Sequence, residues 1–233
     1  MAVAVLALPL RFTVRRRPFT LEELALRYGT DKSSEAHGYA NIYDRHFTSR
    51  RHDRLTLLEI GVLHGASARM WRDYFPNARI IVADIDPATE KHVPERVGFH
   101  QADQADQAAL ERLAQAAGPF DIIVDDGGHR ADQQLTSLRV LWPHVRPGGV
   151  YAVEDLFSSY LAEFGMGDDA PLRTVDELKA TLDDVHANWH GRPQAFPGLA
   201  EVHVYPELCL LVKGAGRRKA DRYRRAVRKA AVR

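Results

Sequence analysis

Phe120-Asp121-Ile122-Ile123-Val124-Asp125-Asp126-Gly127-Gly128-His129 and Gly148-Gly149-Val150-Tyr151-Ala152-Val153-Glu154-Asp155 decide the reading of this chain. Each is an apolar run of strand length that stops at paired carboxylates. Buried strands of a parallel sheet carry such continuous apolar runs. In an open sheet of parallel strands the carboxyl ends form one rim, where ligands bind. The two runs therefore predict Asp125, Asp126, His129, Glu154 and Asp155 at one edge of one sheet. Like charges gathered there are costly unless compensated, and a hard divalent ion held by carboxylate oxygens compensates them well.

Outward from these runs, strand and helix patterns alternate. Strands are expected at Leu55–Ile60, Arg79–Ala83, Val97–His100, Asp121–Val124 and Val150–Val153, with helices at Ser67–Tyr74, Ala105–Ala117, Arg130–Val145 and Val175–Trp189. Thr20 with Glu23 reads as a capping box opening a helix that Gly29 closes. Gly29 to Phe47 shows no clear period and reads as loop plus short helix. The alternation predicts an α/β fold, a doubly wound, mostly parallel seven-stranded sheet with helices on both faces. The closing strands Glu201–Tyr205 and Glu207–Val212, joined at Pro206, leave room only for an antiparallel pair. Residues 51–215 form the expected core, 1–50 an N-terminal arm with covering helices, and 216–233 a basic C-terminal helix.

Length and charge restrict the function classes. A chain of 233 residues with formal net charge +1 can bury a full core and carries no overall bias toward nucleic acid. From Lys213 to Arg233 ten Lys or Arg face only Asp221, yet no aromatic platform accompanies them, which disfavours single-strand nucleic-acid binding. The lone Cys209 lies in an apolar run and excludes an internal disulfide, which fits a reducing cytoplasm. The apolar stretch Ala2–Leu10 precedes Arg15-Arg16-Arg17, the reverse of a secretory signal, and is too short to span a bilayer. It reads as an arm packing on the domain or on a second subunit, so a homo-oligomer is expected. Phe157 to Pro171, with glycines and aromatics, suits a substrate lid.

Leu57-Leu58-Glu59-Ile60-Gly61-Val62-Leu63-His64-Gly65-Ala66-Ser67 is a glycine-bearing strand-to-helix turn. Gly61 and Gly65 admit a ligand close to the backbone, and the following helix points amides at it. The spacing differs from the dinucleotide fingerprint, and Glu59 suits a cationic sulfonium better than a pyrophosphate. Asp84, ending the second strand, is placed to accept two ribose hydroxyls.

With Tyr28-Gly29-Thr30-Asp31-Lys32, Arg69-Met70-Trp71, Ala102-Asp103-Gln104 and Pro147-Gly148-Gly149 added, the pattern resembles the class I S-adenosylmethionine-dependent methyltransferases. More narrowly, it resembles the metal-dependent sugar O-methyltransferases of macrolide biosynthesis. The resemblance implies that Glu59, Gly61 and Ser67 lie along the methionine part of the cofactor and Thr30 and Lys32 near its carboxylate. It implies Asp84 on the ribose, and Asp103 and Gln104 at the adenine. Asp126, Glu154 and Asp155 would hold Mg²⁺, and His129 would be the general base, with Asp126 beside it at the catalytic centre. Asp125 is expected beside the cofactor as a helix-capping residue. Gly128 stands where the family usually has serine. The implied substrate is a small-molecule glycoside; an aminosugar amine, an RNA or a nicotinamide-linked oxidation are the rival readings.

Overall fold

The computed structural model describes residues 17–167, 169–187 and 193–215; the first expected arm residues, Trp189 and the basic C-terminal segment lie outside them. Seven strands form one sheet: β1 (Thr56–Ile60), β2 (Arg79–Asp84), β3 (Val97–Gln101), β4 (Phe120–Asp125), β5 (Val145–Val153), β6 (Leu199–Tyr205) and β7 (Leu208–Lys213). Their order is β3-β2-β1-β4-β5-β7-β6. Pairing is parallel from β3 through β5, and β7 runs antiparallel to both β5 and β6. The expected mostly parallel sheet with an antiparallel last strand is therefore the observed one.

Among the described residues six α-helices cover it: α1 (Leu21–Tyr28), α2 (Tyr39–Phe47), α3 (Ala66–Tyr74), α4 (Gln107–Ala117), α5 (Ala131–Leu141) and α6 (Thr174–Val185). Successive strand residues point to opposite faces, and the two cores follow that alternation. Leu58, Ile60, Ile123, Tyr151 and Val153 pack with Leu110 and Leu113 of α4, Leu138 and Leu141 of α5 and Leu178 of α6. Leu57, Ile122, Val124 and Ala152 pack with Leu21 and Leu24 of α1, Tyr39, Tyr43 and Phe47 of α2 and Met70 and Trp71 of α3. No described helix is long and apolar enough to cross a membrane.

The capping box at α1 forms as read: the Glu23 amide donates to Thr20 Oγ1 at 3.1 Å and the Thr20 amide to Glu23 Oε2 at 2.8 Å. Several boundaries differ from the sequence reading, and two of the differences have a plain physical cause. The helix expected to reach Val145 stops at Leu141 and tightens into a 3-10 turn over Trp142–His144. Pro143 explains the stop, since its ring cannot continue an α-helix. Strand β5 starts at Val145, five residues before Val150, and passes through Pro147-Gly148-Gly149 with a register shift against β4 at Phe120/Ile122. Such a bulge is where proline and glycine are tolerated inside a strand.

Candidate active site

Register sets the rim. Ile60 pairs with Ala83 on one side and Asp125 on the other, and Asp125 pairs with Val153. The next residue of each strand, Asp84, Gly61, Asp126 and Glu154, therefore forms one row at the sheet's carboxyl edge, at neighbour spacings of about 5 Å. The Gly61 amide donates to the Ala83 carbonyl at 2.8 Å and the Asp126 amide to that of Ile60 at 3.0 Å, which fixes the row. The strand order reverses between β1 and β4, the switch point where doubly wound sheets bind ligands.

A cleft of about 620 Å³ opens above this row. Of the residues expected to meet a cofactor, Thr30, Gly61, Ser67, Asp84, Asp103 and Gln104 line it, as do Asp126, His129 and Asp155. Gly61 has φ +99°, and a Cβ there would lie 2.0 Å from the Asp126 carbonyl oxygen, so only glycine fits. Helix α3 starts after Gly65, at φ +68°, with no side chain capping it, so its first amides are left for a ligand at the cleft wall formed by Ala66 and Ser67. Asp84 accepts from the amides of Val62 and Asp86, both at 2.9 Å, which orients its carboxylate at the end of β2.

Three expected cofactor contacts sit behind the cleft wall instead. Glu59 is fully buried and accepts from Ser67 Oγ at 2.9 Å and Trp71 Nε1 at 3.0 Å. Period-2 alternation puts Glu59 on the face of β1 that packs against α3, opposite Leu58 and Ile60, while Gly61 lies past the strand end and meets the cleft. Burial pushes its carboxyl up to about 7, with Lys32 opposing. Asp125 caps no helix: α5 is preceded by Arg130, and Asp125 is the buried last residue of β4, accepting from Tyr151 OH at 2.8 Å and from Ser137 and Gln104. Burial raises its pKa to about 6 against those donors. Lys32, expected near a cofactor carboxylate, is 0% exposed. Its Nζ donates to Asp126 Oδ2 and, at 2.6 Å, to Glu154 Oε2, and lies 3.8 Å from Glu59 Oε1. Burial alone would lower the lysine pKa, but Asp126, Glu154 and Glu59 raise it well above the ordinary value, so the ammonium stays charged.

The acids split into two groups. Glu154 is enclosed, its second oxygen accepting from Tyr43 OH at 2.6 Å. Asp126, His129 and Asp155 offer ligand atoms within 4.8 Å of one another. His129 Nε2 lies 3.4 Å from Asp155 Oδ2 and 4.0 Å from Asp126 Oδ1. Asp155 Oδ1 accepts from Tyr39 OH at 2.8 Å. His129 and Asp155 both have left-handed backbones, at φ 58° and 54°. Non-glycine residues held there mark over-determined sites. The expected lid forms two 3-10 turns, Leu156–Tyr160 and Ala162–Phe164, the second placing Phe164 edge-on to His129 with centroids 6.4 Å apart.

Sequence reading missed the partners: Tyr39 and Tyr43 of α2, Trp71 of α3, and Ser137 and Tyr151 behind Asp125. Tyr39, Tyr43 and Phe47 recur every four residues, one helical face, which was the available signal for α2.

A family model described as "Methyltransferase domain" matches residues 58–156. The 8-demethyl-8-(2-methoxy-alpha-L-rhamnosyl)-tetracenomycin-C 3'-O-methyltransferase of Streptomyces olivaceus is 38% identical over 216 residues, covering 85% of this chain and 55% of that protein. The mycinamicin VI 2''-O-methyltransferase of Micromonospora griseorubida is 37% identical over 217 residues, covering 85% and 53%. The solved structure of the MycE methyltransferase from the mycinamycin biosynthetic pathway, in complex with Mg, SAH and mycinamycin VI, superposes with TM-score 0.77 at 34% identity over 87% of this chain and 58% of that one. The chain thus spans about half the length of the curated relatives it matches. Sheet order, glycine turn and these matches agree: residues 58–156 match a methyltransferase domain, and the chain has the class I methyltransferase fold.

Proposed function

We propose that this chain transfers the methyl group of S-adenosylmethionine to a sugar hydroxyl of a natural-product glycoside, with Mg²⁺ at the acidic rim. The observation that carries the reading is the row Asp84, Gly61, Asp126, which joins a cofactor-sized cleft to the Asp126, His129, Asp155 cluster.

The residues present fit both groups. The uncapped α3 amides suit the cofactor's carboxylate, Asp84 suits the ribose hydroxyls, and Asp103 and Gln104 border the adenine end. Carboxylate oxygens of Asp126 and Asp155 suit a hard cation, and Glu154 completes the set once it parts from Lys32. Bound Mg²⁺ supplies Lewis acidity that makes a neighbouring sugar hydroxyl easier to deprotonate. His129 then takes the hydroxyl proton at Nε2, the ring nitrogen facing Asp126 and Asp155. Asp155, anchored by Tyr39, holds that imidazole in place. The acceptor oxygen gains the methyl as the sulfur–carbon bond breaks, its electron pair remaining on sulfur. The protein's part in that in-line displacement is alignment. Phe164, edge-on to His129, and Phe157, edge-on to Phe164, cover the acceptor. A homo-oligomer and a cytoplasmic location belong to the same proposal; the lone Cys209, a buried free thiol, supports the reducing compartment.

Calorimetric titration with S-adenosylhomocysteine, in Mg²⁺ and in EDTA, tests it. Binding of the cofactor product, plus a Mg²⁺ heat lost in Asp126→Ala, is expected. No cofactor binding overturns the methyltransferase activity; binding without a Mg²⁺ heat moves the acceptor from a hydroxyl to an amine.

A further inference from the structure

Lys32 has an arrangement that neither the resemblance nor the proposed reaction accounts for. It lies on the loop between α1 and α2, where its carbonyl accepts from the Ala40 amide at 2.8 Å and its amide donates to Thr30 Oγ1 at 3.4 Å. Thr30 lines the cleft, whereas Lys32 turns away from it, beneath the rim. Its ammonium reaches three carboxylates from three strand ends: Asp126 after β4, Glu154 after β5 and, at longer range, Glu59 in β1. Two of these carboxylates, Glu59 and Glu154, have almost no exposure, so solvent cannot compensate them. Uncompensated buried charge is strongly destabilising. Asp155 is held instead by Tyr39 and His129.

We infer that Lys32 is the internal counter-cation of the acidic rim: it holds Asp126 and Glu154 together in the metal-free protein and competes with a divalent ion for these two carboxylates. It is a positioning residue, acting on Asp126 and Glu154 rather than on cofactor or acceptor. The inference rests on the proposed metal site, but half of it, the metal-free half, stands without that site. Competition follows from charge. An ammonium bonded to Asp126 Oδ2 and Glu154 Oε2 neutralises those oxygens and repels a second cation brought to them.

The test uses the full chain as Lys32→Met, Lys32→Arg and Lys32→Met with Glu154→Gln. Thermal melting is followed in EDTA and in Mg²⁺, with calorimetric titration of Mg²⁺ and of S-adenosylhomocysteine. Lys32→Met is expected to melt well below the parent in EDTA, to recover most of the loss in Mg²⁺, and to bind Mg²⁺ at least tenfold more tightly. Lys32→Arg should keep the parent's metal-free stability. If Lys32→Met cannot be obtained folded, the double variant, which removes the ammonium together with one partner charge, is expected to fold in EDTA. Loss of S-adenosylhomocysteine affinity in Lys32→Met with no change toward Mg²⁺ overturns the inference and returns Lys32 to the cofactor. Weaker Mg²⁺ binding in Lys32→Met, or a double variant as unstable as the single one, overturns it as well. Failure of the parent to bind S-adenosylhomocysteine speaks against the methyltransferase reading alone, since the EDTA melts do not depend on it.

Discussion

At the scale of single residues, His129 combines chemistry with backbone constraint. Its φ of 58° is tolerated by asparagine far better than by most residues, so His129→Asn removes the basic nitrogen while keeping the turn. Methyl transfer is expected to fall about 10²–10⁴-fold, the usual worth of a general base, with S-adenosylhomocysteine affinity unchanged by calorimetry. An activity within threefold of the parent removes His129 from the proton step. Asp125 gives a pH signature of unusual sign. Its folded pKa is about 6, above the unfolded value near 4, so the folded state keeps a proton that the unfolded chain has released. The stability it lends is full below about pH 4 and is lost as pH rises through about 6, the reverse of a salt-bridged carboxylate. Below about pH 4 that proton is worth on the order of 3 kcal/mol of stability. Chemical denaturation from pH 4 to 7 should show the parent losing stability relative to Asp125→Asn; a constant difference would mean that Asp125 stays charged inside the fold.

At the scale of elements, the glycine turn after β1 is the least replaceable piece. Gly61→Ala asks for a left-handed alanine with its Cβ 2.0 Å from a carbonyl oxygen of the neighbouring strand end. Strain of this kind costs on the order of 1–3 kcal/mol, and relief requires β1 and β4 to part where Asp126 is held. Both the melting temperature and S-adenosylhomocysteine affinity should drop together; an alanine variant with parental affinity would show that the row is not what shapes the cleft. The elements also show what sequence discloses. Strands β2 and β4 were legible because their apolar runs end in charge, β1 because a glycine turn follows it, and α1 because Thr20 and Glu23 cap it. The start of β5 was not, because Pro147-Gly148-Gly149 reads as a turn and only pairing with β4 through a bulge makes it a strand. At the site, rim membership was legible from the strand ends. The inward turn of Glu59, Asp125 and Lys32 was not, since it depends on which donors (Trp71, Ser137, Tyr151) the folded cores bring against them.

At the scale of the whole molecule, ligand occupancy should read out as stability. A ligand binding only the folded state at a hundred times its dissociation constant adds about 2.7 kcal/mol. Saturating S-adenosylhomocysteine is therefore expected to raise the melting temperature by several degrees. Mg²⁺ should add a further increment in the parent and none in Asp126→Ala, as scanning calorimetry would show; equal Mg²⁺ increments in both would place the ion elsewhere.

The seating of Asp155 has a consequence for how the protein is made. Its carboxylate is anchored by Tyr39, whose hydroxyl also reaches the carbonyl of Glu207 at 3.4 Å, and the Leu156 amide donates to that same carbonyl. Glu207 sits in the turn between β6 and β7, and β7 fills the slot between β5 and β6. A ribosome delivers Asp126 87 residues before Lys213 (213 − 126). At roughly 5–20 residues per second that is a delay on the order of ten seconds. Until that hairpin arrives the nascent rim lacks the Glu207 carbonyl that helps seat Asp155, so the proposed ion site is completed only when the last strand slides home.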